Sequence, residues 1–182
     1  CMIVLPGALS AFRREALENA GPLSHDTLAE DTDLTLQLQR LGWRAAFEIR
    51  ACADTEAPED VRALVSQRFR WAFGTLQCLW KHAALTFAPG SGWLGWFAIP
   101  SVWIFQYLVV AVTPLLDIMV LWSLWWGSGS AIWPYFLASL LLDIGLAAAA
   151  LRLAGRPVLM AWLALPMRIF YRPLLGYVVW KC

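Results

Sequence analysis

The chain has 182 residues, 60% of them hydrophobic, and a formal net charge of +1 at pH 7. The usual apolar fraction is about 45–50%, so part of this chain has a membrane-type composition. Residues 1–92 hold 11 of the 13 acidic and 9 of the 14 basic residues, a net charge of −2, which leaves +3 for residues 93–182. No basic stripe lies outside the apolar half, which argues against nucleic acid as a partner.

The four cysteines are Cys1, Cys52, Cys78 and Cys182, and no two of them form a Cys-x-x-Cys pair. Together with only two histidines, this scatter predicts no metal site and favours reduced thiols over a disulfide. The first residues lack the charged region and full apolar core of a signal peptide. We expect the chain to be a piece of a longer protein, because it begins in a predicted buried strand and stops inside an apolar helical pattern.

Four elements are predicted before residue 50. Two are strands, one because it is a short apolar run before Pro6-Gly7 and one because its apolar residues alternate. Two are helices, the first capped by Ser10 and stopped at Gly21, the second ending at Gly42. In chain order they are a strand over residues 2–5, a helix over 11–19, a helix starting near residue 29, and a strand over 43–49.

Three acidic residues, Glu30, Asp31 and Asp33, crowd where the second helical pattern begins. Acids at this place stabilise a helix by complementing its positive terminus. A carboxylate held there can also face a cleft and take a proton from an attacking hydroxyl. Asp33 is interpreted as a solvated or capping residue.

The sequence Pro58-Glu59-Asp60 predicts the start of a longer helix, which Gly74 is expected to bend. Spacings of three and four residues put Gln67, Arg70 and Trp71 on one face of it. A guanidinium, an indole and an amide suit a sugar phosphate, although an amphipathic helix lying on a membrane also collects Arg and Trp.

The second half follows a linker over residues 87–92 and predicts two or three membrane spans. We expect Pro100 and Pro114 to break the first apolar stretch, and Pro166, Arg168 and Arg172 weaken the last. The spans are placed at about residues 101–125, 132–151 and 158–180.

Two loops of the apolar half differ in charge. Residues 127–130 are uncharged and residues 152–156 are basic, so the second loop is expected on the cytoplasmic side. Asp117 and Asp143 lie within the apolar stretches, where acids are costly unless they face protein or water. They either line a passage for a polymer or take part in hydrogen bonds between helices.

Gln67, Arg70 and Trp71 match the Gln-x-x-Arg-Trp signature of processive family 2 glycosyltransferases. These membrane synthases make cellulose, chitin, hyaluronan and poly-N-acetylglucosamine. Ala29-Glu30-Asp31 stands upstream, where the family usually has Thr-Glu-Asp. Residues 168–175 look like the C-terminal region of bacterial poly-β-1,6-N-acetylglucosamine synthases.

This resemblance implies an α/β fold: the C-terminal part of a nucleotide-sugar (GT-A type) glycosyltransferase domain, followed by transmembrane α-helices. Residues 1–92 would be cytoplasmic and residues 93–182 would lie in the inner (plasma) membrane. The implied reaction adds N-acetylglucosamine from UDP-GlcNAc to a growing β-linked polysaccharide with inversion. By motif position Asp31 is the base and Glu30 braces the site.

The resemblance also gives roles to the remaining candidate residues. Arg70 and Trp71, with Gln67, would hold the pyrophosphate and acceptor ends, and Gly7 and Ala8 would lie near the acceptor sugar. For Gly7, a tight turn alone is the alternative.

Mg²⁺ or Mn²⁺ is expected, bound by residues upstream of this chain, so the chain alone is expected to be inactive. The implied partners are a UDP-sugar, the polysaccharide, the lipid bilayer and a small membrane subunit. The alternatives are a cellulose, chitin or hyaluronan synthase, and a non-catalytic transporter or scaffold component.

Overall fold

The computed structural model of the chain describes residues 4–23, 26–48, 50–126 and 129–182. Residues 2 and 3 of the predicted strand over residues 2–5 therefore lie outside the described residues, as do Cys1, Ile49 and the Gly127-Ser128 part of the uncharged loop. Two compact units are distinguished: the first is Cys1–Leu108 with Lys181–Cys182, and the second is Val109–Trp180.

The first unit begins with three α-helices, α1 (Arg14–Ala20), α2 (Glu30–Arg40) and α3 (Val61–Lys81). α1 starts three residues later than predicted, because the Ser10 hydroxyl donates to the Pro6 carbonyl at 2.7 Å instead of capping a helix. It ends at Gly21 as predicted, where φ is +80°, a conformation that favours glycine.

α3 begins one residue after Asp60, whose carboxylate accepts a hydrogen bond from the Ala63 backbone N–H at 2.6 Å. This is an N-cap, which typically stabilises a helix by about 1 kcal/mol. Gly74 does not interrupt α3, which is α-helical from end to end. Gly74 is buried instead, at a point where the start of α2 comes very close.

The small core of this unit forms between α1 and α2. Leu34 and Leu38 of α2 pack on Ala16 and Ala20 of α1, and Phe12 and Trp43 cover them. Residues 34 and 38 are one helical turn apart, so their periodicity alone predicts this shared face.

The described residues contain no strand, so the α/β class is not shown by them. Residues 43–48 are loop despite their alternating pattern, and Phe47 on the predicted inner side is 75% exposed. A strand needs a neighbour that pairs with its N–H and C=O groups, and among the described residues no segment pairs with this one.

The helical segments that follow α3 are short in the first unit, and the second unit has two long helices, α5 and α6. The first unit continues with a 3₁₀ turn (Ala83–Leu85), a π-helical stretch (Leu94–Ala98), α4 (Ile99–Ser101) and a second π-helical stretch (Val102–Leu108). The second unit has α5 (Val109–Trp125), α6 (Gly129–Leu153), a 3₁₀ stretch (Val158–Leu163), α7 (Ala164–Pro166), a π-helical stretch (Met167–Tyr171) and α8 (Arg172–Lys181).

Within the part of the chain that the structure describes, three helices are long and apolar enough to cross a membrane: Leu94–Val120, Ile132–Leu153 and Val158–Lys181. The prediction that Pro100 and Pro114 break the first stretch is wrong. Pro100 lies in α4, between two π-helical stretches of the same continuous helix. Pro114 lies inside α5, which continues to Trp125.

Candidate functional site

Asp31 is half-buried in the first turn of α2, and backbone groups hold its carboxylate in place. Oδ1 accepts from the Thr32 N–H at 2.7 Å, and Oδ2 accepts from the Gly7 N–H at 3.3 Å. The Gly7 loop is itself tied to α2, because the Leu5 N–H donates to Thr35 Oγ1 at 2.9 Å and that hydroxyl donates to the Asp31 carbonyl at 2.6 Å. A carboxylate has about four lone-pair sites, so Asp31 keeps acceptor capacity for a further proton donor.

Asp31 opens onto a cleft of about 590 Å³ in the first unit. This volume lies within the range of ligand sites, about 300–1,000 Å³. Five of the seven residues singled out by the sequence line it, namely Gly7, Ala8, Asp31, Gln67 and Trp71. The fold therefore brings Asp31 of the acidic motif and Gln67 and Trp71 of the Gln-x-x-Arg-Trp motif to the same cavity, although 36 positions separate Asp31 from Gln67.

Gln67 and Trp71 reach the cleft together because they are four residues apart on α3. The Trp71 side is open enough for a ligand, since the residue is 49% exposed. The Arg68 guanidinium carbon lies 4.5 Å from the Trp71 ring centroid, a cation–π contact. Glu30 and Arg70 are exposed and are not among the residues that line the cleft.

Polar residues that the sequence interpretation gave no role also line the cleft: Thr32, Thr55, Glu56, Thr75 and Gln106. Gln106 stands out because it lies inside the candidate span Leu94–Val120, where an exposed amide is unusual. The neighbouring Tyr107 hydroxyl donates to the Ala72 carbonyl of α3 at 2.7 Å, which holds this π-helical stretch against α3. A polar residue in an apolar run was the sequence signal that could have found Gln106.

Asp33 differs most from its prediction. It is not solvated: it is 2% exposed and accepts hydrogen bonds from Lys81 Nζ at 2.8 Å and from His82 Nε2 at 2.7 Å. Burial alone would lower the pKa of Lys81, but its hydrogen bonds to Asp33 and Asp26 outweigh that effect and raise it. The acidic run at the start of α2 therefore has one residue facing the cleft and another buried against the end of α3.

Cys52, Cys78 and Cys182 are free thiols. Burial raises the pKa of the Cys78 thiol to about 11, and its Sγ donates to the Ala29 carbonyl at 3.4 Å. Among the residues that the structure describes, no group of three or more His, Cys, Asp or Glu side chains could hold a metal ion. These residues do not fit the divalent ion that the resemblance implies, and no step below is routed through one.

In the second unit, Asp117 and Asp143 are paired with arginines. Arg168 donates to Asp117 Oδ1 at 3.1 Å and to Asp143 Oδ2 at 3.0 Å, and Arg172 donates to Asp143 Oδ1 at 2.7 Å. Arg168 also donates to Ser139 Oγ at 3.0 Å. The interpretation as hydrogen bonds between helices is confirmed, and these contacts include one or more residues from each of the three candidate spans.

The described residues thus combine a cleft lined by a carboxylate, an amide and an open indole with three helices long and apolar enough to cross a membrane. The chain belongs to the glycosyl transferase family group 2, whose family model matches residues 1–175.

Curated relatives match a shorter part of the chain. The chain is 37% identical over 71 residues to the UDP-forming cellulose synthase catalytic subunit of Komagataeibacter sucrofermentans, a match that covers 39% of this chain and 9% of the relative. It is 34% identical over 87 residues to cellulose synthase 1 of Komagataeibacter xylinus, covering 48% and 6%. It is 35% identical over 83 residues to the probable glycosyltransferase YdaM of Bacillus subtilis, covering 46% and 20%.

The matched segments thus span a fifth or less of these relatives' own length. No solved structure shows a significant match to the chain.

Proposed function

We propose that this chain is part of a membrane-embedded inverting glycosyltransferase that adds sugar from a UDP-sugar to a growing β-linked polysaccharide. The observation that carries the proposal is the shared cleft: Asp31 of α2 and Gln67 and Trp71 of α3 line one cavity. Family membership and three membrane-type helices support the same assignment. A non-catalytic transporter or scaffold gives no reason for an acidic run that is followed 36 residues later by Gln-x-x-Arg-Trp.

In the proposed reaction, an acceptor hydroxyl oxygen attacks the anomeric carbon of the donor sugar. The new bond joins that oxygen to the anomeric carbon, and the bond from the anomeric carbon to the UDP oxygen breaks, so UDP leaves with the electron pair. Asp31 takes the hydroxyl proton. A general base of this kind typically contributes about 10²- to 10⁴-fold to the rate.

The geometry of Asp31 suits this role. The Gly7 and Thr32 N–H groups fix the orientation of the carboxylate without closing it off from the cleft. Gly7 thus supports the base through its N–H and also lines the cavity, and Ala8 lines it beside Gly7.

In this proposal the acceptor sugar binds at Trp71, whose exposed indole has a flat apolar face on which a sugar ring can stack. Gln67 and Gln106, which both line the cleft, supply amide donors and acceptors for sugar hydroxyls. Glu30 and Arg70 lie outside the lining residues, so their bracing and pyrophosphate-binding roles rest on the resemblance alone. Mg²⁺ or Mn²⁺, if required, is assigned to residues outside this chain.

UDP-GlcNAc is the first candidate donor, because residues 168–175 resemble the corresponding region of poly-β-1,6-N-acetylglucosamine synthases. UDP-glucose is the second, because curated relatives in the comparison are cellulose synthases. The proposal places the protein in the inner (plasma) membrane with the cleft on the cytoplasmic side, where UDP-sugars are made, and leaves room for a small membrane subunit.

The test compares the two donors in the full-length protein, reconstituted in lipid nanodiscs with divalent ions. We expect label from UDP-GlcNAc to enter polymer at least tenfold faster than label from UDP-glucose. Faster incorporation of glucose would replace the first candidate donor by the second. Incorporation from neither donor, by protein that remains folded and monodisperse, would contradict the proposed function.

A further inference from the structure

Along one side of α3, residues that line the cleft are followed by residues that are buried. Gln67 and Trp71, in the first half, line the cleft, and Gly74, Cys78 and His82 follow at the spacing of successive helical turns. All three of these later residues are buried. They contact the segment of residues 28–33, which includes Asp31.

The closest approach is between Gly74 and the residues just before α2. A Cβ atom placed on Gly74 would lie 2.8 Å from the Ala29 N, 2.8 Å from the Ala29 Cβ and 2.9 Å from the Leu28 carbonyl carbon. Two of these three atoms belong to the backbone and cannot rotate away. One turn later, Gln77 Oε1 accepts from the Leu28 N–H at 2.9 Å and Cys78 Sγ donates to the Ala29 carbonyl at 3.4 Å.

Asp33 makes the third point of attachment, one further turn along. Its carboxylate is buried, and both oxygens are hydrogen-bonded, Oδ1 to His82 Nε2 and Oδ2 to Lys81 Nζ. Lys81 also binds the exposed Asp26 at 3.0 Å. A buried carboxylate with two charge-assisted or hydrogen-bonded partners resists displacement, because moving it would leave buried polar groups unpaired.

We propose that Gly74 and Asp33 are positioning residues for sugar transfer: together they set the register of α2 on α3, and so the place of Asp31 relative to Trp71. The inference rests on the proposed function, in which Asp31 is the base and Trp71 holds the acceptor. Neither residue lines the cleft, so each acts through Asp31 and not through the substrate.

The consequence follows from the rigidity of α2. Asp31 and Asp33 belong to the same helical turn, so a displacement of the docked segment moves the catalytic carboxylate with it. A misplacement of about 1 Å in a reacting group can reduce the rate by about 100-fold. The proposal gives neither Gly74 nor Asp33 a contact with the UDP-sugar, so the KM for the donor should change little.

The experiment uses the full-length protein with two test variants and two matched controls. Gly74→Ala adds a Cβ where α2 is in contact, and Gly145→Ala makes the same change in α6, where no atom lies within 4 Å. Asp33→Asn removes the buried charge at constant shape, and Asp26→Asn does the same to the exposed partner of Lys81. For each variant we would measure kcat, the KM for the UDP-sugar, and the ratio of UDP released to sugar transferred, well below the unfolding temperature.

We expect Gly74→Ala and Asp33→Asn to lower kcat by about 10- to 100-fold with the donor KM within about threefold of wild type. UDP release should exceed sugar transfer, because water can still attack the donor when the acceptor hydroxyl is not deprotonated. Both controls should stay within about twofold. Gln77→Met, which removes one exposed acceptor, is the milder variant if Gly74→Ala does not fold, with an expected loss of about three- to tenfold in kcat.

Wild-type kcat in the folded test variants, or an equal loss in the controls, would overturn the positioning role. A wild-type protein that transfers no sugar would instead contradict the proposed function, so the two failures are distinguishable.

Discussion

Arg168 is the residue of the second unit whose removal should cost the most stability. It is 10% exposed and donates three hydrogen bonds, to Asp117, Asp143 and Ser139. Its guanidinium carbon also lies 4.7 Å from the Phe136 ring centroid. Arg168→Ala removes all of these contacts at once.

The two aspartates would be affected differently. Asp143 would keep Arg172 at 2.7 Å, whereas Asp117 would lose the partner that the structure shows for Oδ1, and its Oδ2 is already buried without one among the described residues. Leaving one member of a buried ion pair unpaired costs about 3–5 kcal/mol. Asp117 keeps 21% of its side chain exposed, so we expect the lower end, about 3 kcal/mol.

The assay is reversible unfolding of the full-length protein in mixed micelles. Arg168→Ala with Asp117→Asn should recover about 1–2 kcal/mol of the loss, because the unpaired charge is then gone. Arg152→Ala, an exposed arginine at the end of α6, is the control and should stay within about 0.5 kcal/mol of wild type. If Arg168→Ala costs no more than Arg152→Ala, these contacts do not hold the helices of the second unit together.

Three further predictions concern accessibility and substrate contact. A cysteine introduced at Ser128 should be labelled by a membrane-impermeant reagent outside intact cells, and one at Gly155 only after permeabilisation, because the first loop is uncharged and the second is basic. Labelling of both cysteines from the same side would show that the spans are wrongly assigned. Burial raises the pKa of Cys78 from 9.0 to about 11, so at pH 8 this thiol should react with iodoacetamide about 100-fold more slowly than the exposed Cys52. For the same reason the folded protein should lose stability as the pH rises from 9 towards 11. Equal reaction rates of the two cysteines, measured by mass spectrometry, would mean that α2 is not packed on α3 at Cys78. Trp71→Ala should shorten the polymer and raise the KM for an added oligosaccharide acceptor by about tenfold, whereas Trp71→Phe should keep most of the acceptor affinity. A change confined to the KM for the donor would contradict the acceptor role of Trp71.

Periodicity and end signals predicted the helices that carry the site. The acidic run marked the start of α2 at Glu30, and Asp60 marked the start of α3. Composition predicted two or three membrane spans, and the described residues contain three helices able to cross a membrane. Helix ends and apolar runs depend on a few neighbouring residues, so a local pattern contains them. The grouping of Asp31 with Gln67 and Trp71 came from the family resemblance, because 36 positions separate the two motifs.

The remaining features depend on contacts between distant segments. Asp33 was expected to be solvated or to cap the helix, because acids in a first helical turn commonly do either, and only the fold brings His82 and Lys81 to it. Gly74 was expected to bend α3, because a glycine inside a helix gives no sign that another backbone lies against it. The strand predicted over residues 43–49 depends on a pairing partner that its own alternation cannot specify.

The central claim, that Asp31 is the base of sugar transfer, is tested most directly by Asp31→Asn in the full-length protein. The amide keeps the shape and its oxygen can still accept from the Thr32 N–H, but its NH2 group replaces the oxygen that faces the Gly7 N–H, and the amide cannot take a proton. We predict that polymer synthesis falls by about 10²- to 10⁴-fold while UDP-sugar binding, measured by calorimetry, stays within about threefold, and that Asp54→Asn in the exposed loop changes neither. Polymer synthesis by Asp31→Asn within a few-fold of wild type would contradict the account.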